Sequence, residues 1–341
     1  MEIAELLFNH GANINASDTP LCFAVKRGHV DSVKMRMDRS TNINAETRNG
    51  TTLLHNAIAH EEMEYAEVLL NHGANVNVCN SNGVTPLCFA VQRGHVDGVK
   101  MLINRGANIN AESRNGTSSL HYATENKEMK IAELLLNHGA NVNASNTYGD
   151  TPLFRAIKRG HVDGVKMLIN RGANINAETR YGTTPLHCAI RLKKMKIAEL
   201  LLNHGANVNA STKNGVTPLF LAVKRGHVDG VKMLINRGSN VNAETRDGTT
   251  PLHDTIENKK IEIAELLLNH GANVNASYTP LCLAVKNRHV NVVMMLLDRG
   301  ANINSISEKV YLNLYCGFIG SKPVGDILTQ HIVKMKTANF Y

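Results

Sequence analysis

The stretch TPLHCAIRLKKMKIAELLLNHGANVNASTKNGV, from Thr184 to Val216, is the unit that this chain repeats. The following block, Thr217 to Thr249, has the same Thr-Pro-Leu start and the same pattern of Gly and Asn. Both blocks are 33 residues long. A fixed period of this length indicates short modules that each bury their apolar face against the next one, so one unit and its repetition decide the fold.

The first half of the unit has the pattern of a short helix. Thr184 can cap the helix with its hydroxyl, and Pro185 sacrifices no hydrogen bond at the first helical position. Leu186, Ala189 and Ile190 follow at helical spacing and predict one buried stripe.

The second half predicts another helix and a turn. Ile197 and the leucines from 200 to 202 supply its apolar residues, and Gly205 can take the left-handed conformation that ends a helix. Asn and Gly residues, among them Asn214 and Gly215, then turn the chain into a projecting arm.

The Thr-Pro-Leu-His start and the period resemble the ankyrin repeat, and the resemblance covers about residues 1 to 309. It implies an all-α ankyrin-repeat solenoid of stacked helix-turn-helix units with short β-hairpin arms. We expect one elongated array. Residues 1–18 hold a partial repeat with the second helix only, and residues 19–309 hold nine repeats. Residues 310–341 form a degenerate C-terminal capping repeat or a tail that serves as a separate docking segment.

The first repeat lacks its first helix, which leaves the flank of its neighbour uncovered. Either the chain is a piece of a longer array or a truncated reading frame, which we favour, or another element covers this end.

Two kinds of repeat alternate, so the true period is two repeats. One equivalent position carries Glu and Lys in turn, which predicts a ladder of alternating charge along the stacked repeats. This ladder either fixes the order of the repeats or merely reflects duplication of a two-repeat cassette. Its members are Glu5, Lys34, Glu67, Lys100, Glu133, Lys166, Glu199, Lys232 and Glu265. Gly98, Gly164 and Gly230 fall inside second helices, where we expect large apolar residues of adjacent repeats to fill the space they leave.

Composition narrows the class of protein. The chain has 341 residues and a net charge of +8, which favours an acidic partner without requiring one. We predict no membrane span, no signal peptide, reduced cysteines and hence a cytoplasmic monomer.

Neither a metal centre nor a catalytic site is expected, and no cofactor is implied. Most of the 16 histidines recur at three repeat positions, which the ankyrin resemblance and the helix dipole explain as structural. No nucleophile stands beside a base and an orienting acid, and no phosphate-binding loop is present, so the chain is not expected to be an enzyme.

Ankyrin-like proteins contact partners with their arm tips and the exposed face of their first helices. We therefore predict partner-binding residues at Arg48, Arg114, Tyr148, Arg180, Tyr181, Arg191, Lys213 and Arg246, since Arg and Tyr are common interface hot spots. Lys158, Lys224 and Lys286 lie on the same helix faces. Four glutamates, Glu46, Glu112, Glu178 and Glu244, stand two residues before tip arginines and are candidates to pair with them.

The sequence thus predicts a non-catalytic scaffold that binds a protein through its concave face and hairpin tips, and its charge favours a partner with an acidic patch. One alternative is a targeting or adaptor module of a larger enzyme or effector. The other is nucleic-acid binding, against which two features count: glutamates interrupt the basic stripe, and most aromatic residues lie outside the tips.

Overall fold

The computed structural model describes residues 42–277 and 279–303. The chain divides between Arg180 and Tyr181 into two compact units, and in each the described residues form successive pairs of short helices. The predictions for residues 1–18, for the repeat beginning at Thr19 and for residues 310–341 lie outside the described residues. The expectation of one elongated array stays a prediction.

The first unit contains four helix pairs. They are α1 Leu53–Ala59 and α2 Met63–Asn71, α3 Pro86–Arg93 and α4 Val96–Asn104, α5 Ser119–Asn126 and α6 Met129–Asn137, and α7 Pro152–Arg159 and α8 Val162–Asn170. Within this unit each first helix contacts its own second helix, and successive first helices contact one another, so the pairs stack in chain order.

The second unit repeats this arrangement. Its pairs are α9 Pro185–Arg191 and α10 Met195–Asn203, α11 Pro218–Arg225 and α12 Val228–Asn236, α13 Pro251–Glu257 and α14 Ile261–Asn269, and α15 Pro280–Lys286 and α16 Val290–Asp298. The contacts again run within each pair and from first helix to first helix.

The helices begin where capping residues predict. Thr85 accepts a hydrogen bond from the backbone N–H of Cys88 at 3.3 Å, and Thr217 accepts one from Phe220 at 3.2 Å. Such a cap satisfies a backbone donor that has no partner inside the helix. All eight described repeats begin their first helix immediately after the predicted Thr or Ser.

The predicted apolar stripe is the core. Leu186, Ala189 and Ile190 are completely buried, whereas Arg191 is exposed. Burying a Leu or Ile side chain stabilises a fold by about 1.5–3 kcal/mol, so the stacked first helices supply much of the stability of each unit.

The helical glycines are covered by methionines of the preceding repeat. A Cβ atom built on Gly164 would lie 2.8 Å from Met129 Sδ, and one on Gly98 would lie 3.2 Å from Met63 Sδ. The corresponding distance from Gly230 to Met195 Sδ is 3.4 Å. An apolar side chain of an adjacent repeat thus fills this space as expected, but it is a methionine and not the Tyr or Ile at the position equivalent to the glycine.

The last repeat of the second unit departs from this scheme in both positions. Buried Val292 replaces the glycine, and Ile261 replaces the methionine of the preceding repeat. Ile has nearly the volume of Met, so this pair of exchanges does not conserve volume, and Ile261 is 38 % exposed.

The predicted charge ladder is wrong in its pairing. Among the described residues, Glu67 lies 3.6 Å from Arg105 and Glu133 lies 3.9 Å from Arg171, while Lys100 turns to Asp97 of its own helix at 3.4 Å. Long exposed side chains have several partners within reach, and such pairs contribute only about 0–1 kcal/mol.

Candidate functional site

The projecting arms are tight turns. In one of them Gly83 N–H donates to Asn80 O at 2.8 Å, and Asn80 N–H donates to Val84 O at 3.0 Å. The predicted β-hairpins are not confirmed, because residues 42–277 and 279–303 contain no β-strand and only two isolated bridges, Glu46 to Thr52 and Glu112 to Ser118.

Backbone hydrogen bonds join each tip to the next within a unit. In the first unit the N–H groups of Ser81, Arg114, Thr147 and Arg180 donate to the carbonyls of Asn49, Asn82, Asn115 and Tyr148, at 2.8–3.1 Å. In the second unit Lys213 donates to Tyr181 and Arg246 donates to Asn214, each at 3.0 Å. We call these bonds the tip row of each unit.

The tip row requires glycine at the turn. Gly83 has a φ of 74°, and a Cβ atom there would lie 2.8 Å from the backbone N of Arg114. Any other residue would therefore be strained and would push neighbouring tips apart.

A second set of bonds lies at the base of the arms. Asn143 Oδ1 accepts from the N–H of Asn174 at 2.7 Å, and its Nδ2 donates to Gly172 O at 3.1 Å. Equivalent bonds are made in the first unit by Asn77 and Asn110, and in the second by Asn209, Asn242 and Asn275. This asparagine ladder was missed by sequence reasoning, which interpreted these residues only as turn formers. Their recurrence at one position in every repeat was the available signal.

All eight predicted partner-binding residues are exposed. The first unit presents Arg48, Arg114, Tyr148 and Arg180, and the second presents Tyr181, Arg191, Lys213 and Arg246. Tyr148 is 57 % exposed and Tyr181 is 70 % exposed, which is unusual for large aromatic side chains. The Arg180 guanidinium lies 6.0 Å from the centre of the Tyr148 ring, at the outer limit of a cation–π contact.

The expected pairing of tip arginines with nearby glutamates is wrong. In the part of the chain that the structure describes, none of Glu46, Glu112, Glu178 and Glu244 forms an ion pair with the arginine two residues later. Side chains two residues apart in a tight turn diverge, so the tip arginines keep their charge available to a partner.

The exposed face of α7 carries a local ion-pair network. Glu125 accepts hydrogen bonds from Arg155 at 2.8 Å and from Arg159 at 2.9 Å, and Asp150 pairs with Lys158. The charge of Lys158, which we had placed among the partner-facing lysines, is therefore largely compensated within the first unit.

The histidines after Thr-Pro-Leu hold repeats together. His121 Nδ1 lies 2.8 Å from Ser118 Oγ and its Nε2 lies 3.0 Å from Asp150 O, in the next arm. His55 bridges Thr52 and Val84 O in the same way. Burial lowers the pKa of both His55 and His121, so these rings are neutral at physiological pH.

Six other described histidines contact backbone carbonyls. His95 and His161 contact carbonyl oxygens of the preceding repeat, Ile58 O at 3.0 Å and Thr124 O at 3.1 Å. Four histidines that end second helices, His72, His138, His204 and His270, contact the carbonyl four residues earlier at 2.8–2.9 Å. Within the described residues, no three or more His, Cys, Asp or Glu side chains gather in a way that could hold a metal ion.

No described helix combines the length and the apolar character that a bilayer crossing demands. A family model described as ankyrin repeats (3 copies) matches residues 21–113, 110–179, 176–245 and 238–307. No curated protein matches the sequence significantly.

Proposed function

The chain belongs to the ankyrin-repeat family, whose members are generally protein–protein interaction modules and typically non-catalytic, and from that premise we propose that it is a scaffold that binds a protein partner through its tips. The partner-facing residues are those predicted from the sequence, together with the exposed ends of the first helices. We place the protein in the cytoplasm as a monomer, in line with the exposed thiol of Cys79.

The tip row is the observation that carries this proposal. Because each tip donates a backbone hydrogen bond to the one before it, the side chains project from a backbone that is already ordered. Binding then requires little loss of conformational freedom, which is the main cost of recognition by loops. The exposed Tyr and Arg side chains are the residue types that most often dominate the binding free energy of an interface.

The charge of the tips suggests an acidic patch on the partner. Arg48, Arg114, Arg180, Lys213 and Arg246 form no ion pair with any described carboxylate. These cations are therefore free to contribute electrostatic complementarity, which raises the rate of association and selects among partners.

The experiment is affinity capture from cell extract with quantitative mass spectrometry. Replacing Tyr148, Arg180 and Tyr181 together by Ala should remove the principal captured protein and leave the helical circular dichroism unchanged. A matched control replaces Lys100, Lys166 and Glu199, which are exposed on second helices away from the tips, and should capture as the wild type does. Capture of this protein by the tip variant at the level of the wild type and of the control would refute the placement at the tips.

Salt dependence separates this proposal from nucleic-acid binding. A protein partner should show a shallow loss of affinity with added salt, whereas phosphate contacts release counterions and give a steep one. A steep slope with a single-stranded oligonucleotide would favour the alternative.

A further inference from the structure

The turns between the two helices of each repeat form a separate edge of the second unit. Lys193 and Lys259 lie in these turns, Arg225 ends the first helix of the repeat between them, and all three side chains are exposed. We call these three residues the basic row. None of them forms an ion pair with a described carboxylate, and Glu262, a nearby acid, lies 3.8 Å from Lys232.

The backbone at two of these positions is strained. Lys193 and Lys259 each have a φ of 54°, in the left-handed region that favours glycine, whereas the intervening repeat uses Gly226 with a φ of 69°. Holding a residue with a side chain in this conformation costs about 1–3 kcal/mol. The same conformation recurs at Glu61, Lys127 and Arg288, so it belongs to the turn of the repeat and is not confined to the basic row. Glycine would relieve the strain at both positions but would remove the charge.

The electrostatic arrangement is also unfavourable without a ligand. Burial and the nearby charges of Lys193 and Arg225 lower the pKa of His227. One repeat of the first unit differs, because Glu61 occupies the position of Lys193 and lies 3.5 Å from His95, whereas another repeat of that unit has Lys127 there.

Exposed aliphatic side chains accompany the basic row. Leu192 and Ile261 are each 38 % exposed, and apart from the tip tyrosines they are the exposed large hydrophobic residues of the described chain. Leu192 precedes Lys193, and Ile261 follows Lys259 by two residues, so both lie at this edge. Within residues 192–194, 225–227 and 258–260 there is no Phe, Tyr or Trp on which a base could stack.

We propose that the basic row, with Leu192 and Ile261, is a docking surface for an extended acidic segment of another polypeptide in which apolar residues alternate with carboxylates. Stacked helices lie about 8–10 Å apart, and three residues of a polyproline II chain span about 9 Å and complete one turn, so side chains three residues apart share a face. Carboxylates three residues apart on the segment therefore match successive members of the row, and the apolar residues between them cover the two aliphatic side chains. This surface is distinct from the tips and does not depend on them.

The probe is a fluorescently labelled peptide of Glu-Leu-Ser repeated four times, measured by anisotropy against the full chain at low and physiological salt. Peptides with Gln in place of Glu, and with Ser in place of Leu, separate the charge from the apolar contribution. We expect the variant Lys193→Glu/Lys259→Glu to bind at least about tenfold more weakly, because two attractions become repulsions. Glu61 shows that glutamate is accommodated at this position of the fold.

Controls keep the outcome clear. The variant Lys193→Gln/Lys259→Gln should bind with intermediate affinity, and Leu192→Ser/Ile261→Ser should lose part of the affinity without changing its salt dependence. The triple tip variant should bind the peptide as the wild type does. Failure of the tip proposal would therefore leave the peptide result unchanged, and failure of the peptide to bind would leave the tip proposal unchanged. Bound peptide should raise the pKa of His227 in proton NMR.

Several results would overturn the proposal. These are unchanged affinity in the Lys193→Glu/Lys259→Glu variant, equal binding of the Gln peptide, or an unaltered His227 titration. Tighter binding of an oligothymidine than of the acidic peptide, lost in the same variant, would assign the row to nucleic acid.

Discussion

The contact between methionine and glycine predicts that three chemically identical mutations will have different effects. Replacing a helical Gly by Ala stabilises a helix by about 1 kcal/mol when the new methyl group has room. At Gly230 the methyl would lie 3.4 Å from Met195 Sδ and from His227 Cβ, which is ordinary contact. Gly230→Ala should therefore raise the free energy of unfolding by about 0.5–1 kcal/mol.

At Gly164 the same methyl would lie 2.8 Å from Met129 Sδ, well inside the separation of about 3.5–4.0 Å at which non-bonded atoms attract. Overpacking a well-packed site costs about 1–3 kcal/mol, although the flexible methionine absorbs part of this. Gly164→Ala should therefore be neutral or destabilising by about 1 kcal/mol, and Gly98→Ala, at 3.2 Å, should lie between the two.

The assay is urea denaturation followed by circular dichroism, with a double-mutant cycle that adds Met129→Ala. In the Met129→Ala background the clash is absent, so Gly164→Ala should become stabilising by about 1 kcal/mol. The reasoning is refuted if Gly164→Ala and Gly230→Ala have equal effects, or if Met129→Ala leaves the effect of Gly164→Ala unchanged.

Four other expectations follow from single side chains. Ser239 Oγ is buried without a hydrogen-bond partner where neighbouring repeats have Ala, so Ser239→Ala should stabilise the chain by about 1 kcal/mol in urea denaturation, and a loss of stability would contradict this. Lys127 has a φ of 66°, so Lys127→Gly should raise the melting temperature, with exposed Lys130→Gly, inside a helix, as a control that lowers it. Asn143→Ala removes two inter-repeat hydrogen bonds and should lower the free energy of unfolding by about 1–2 kcal/mol. Amide hydrogen exchange at Asn174 should become faster. Unchanged exchange at Asn174 would show that water replaces the side chain. Burial lowers the pKa of His55 and His121 below 6.5, so the unfolded chain binds protons before the folded chain does as the pH falls. The free energy of unfolding should therefore be constant above about pH 7 and should decline below pH 6.5, by up to about 1.4 kcal/mol per pH unit for each histidine. Melting temperatures that stay flat between pH 6.5 and pH 5 would contradict this.

The sequence predicted the helices well because their signals are local. A capping Thr, a Pro at the first position and apolar residues at helical spacing determine where a helix starts and which face is buried, as Thr184, Pro185 and Leu186 show. The exposure of the tip tyrosines was predictable for the same reason, since turn residues face solvent. Whether these residues bind a partner stays a prediction.

The contacts between repeats were harder to predict from the sequence. The asparagine ladder and the tip row depend on backbone groups brought together from different repeats, and no local pattern specifies them. The predicted charge ladder was wrong because equivalent positions do not determine which of several exposed partners a flexible Lys or Glu contacts. Glu67, for example, pairs with Arg105 and not with a lysine of the ladder. The left-handed lysines were also missed, since a residue with a Cβ atom is an unusual choice for that conformation.

The fit of methionine over glycine restricts how a gene for this protein can gain or lose length. Recombination that removes a single repeat would set a methionine against an isoleucine or a tyrosine, the residues that occupy the glycine position in the alternate repeats. Exchange of two repeats at once keeps every methionine over a glycine, so viable changes in copy number should occur in even steps.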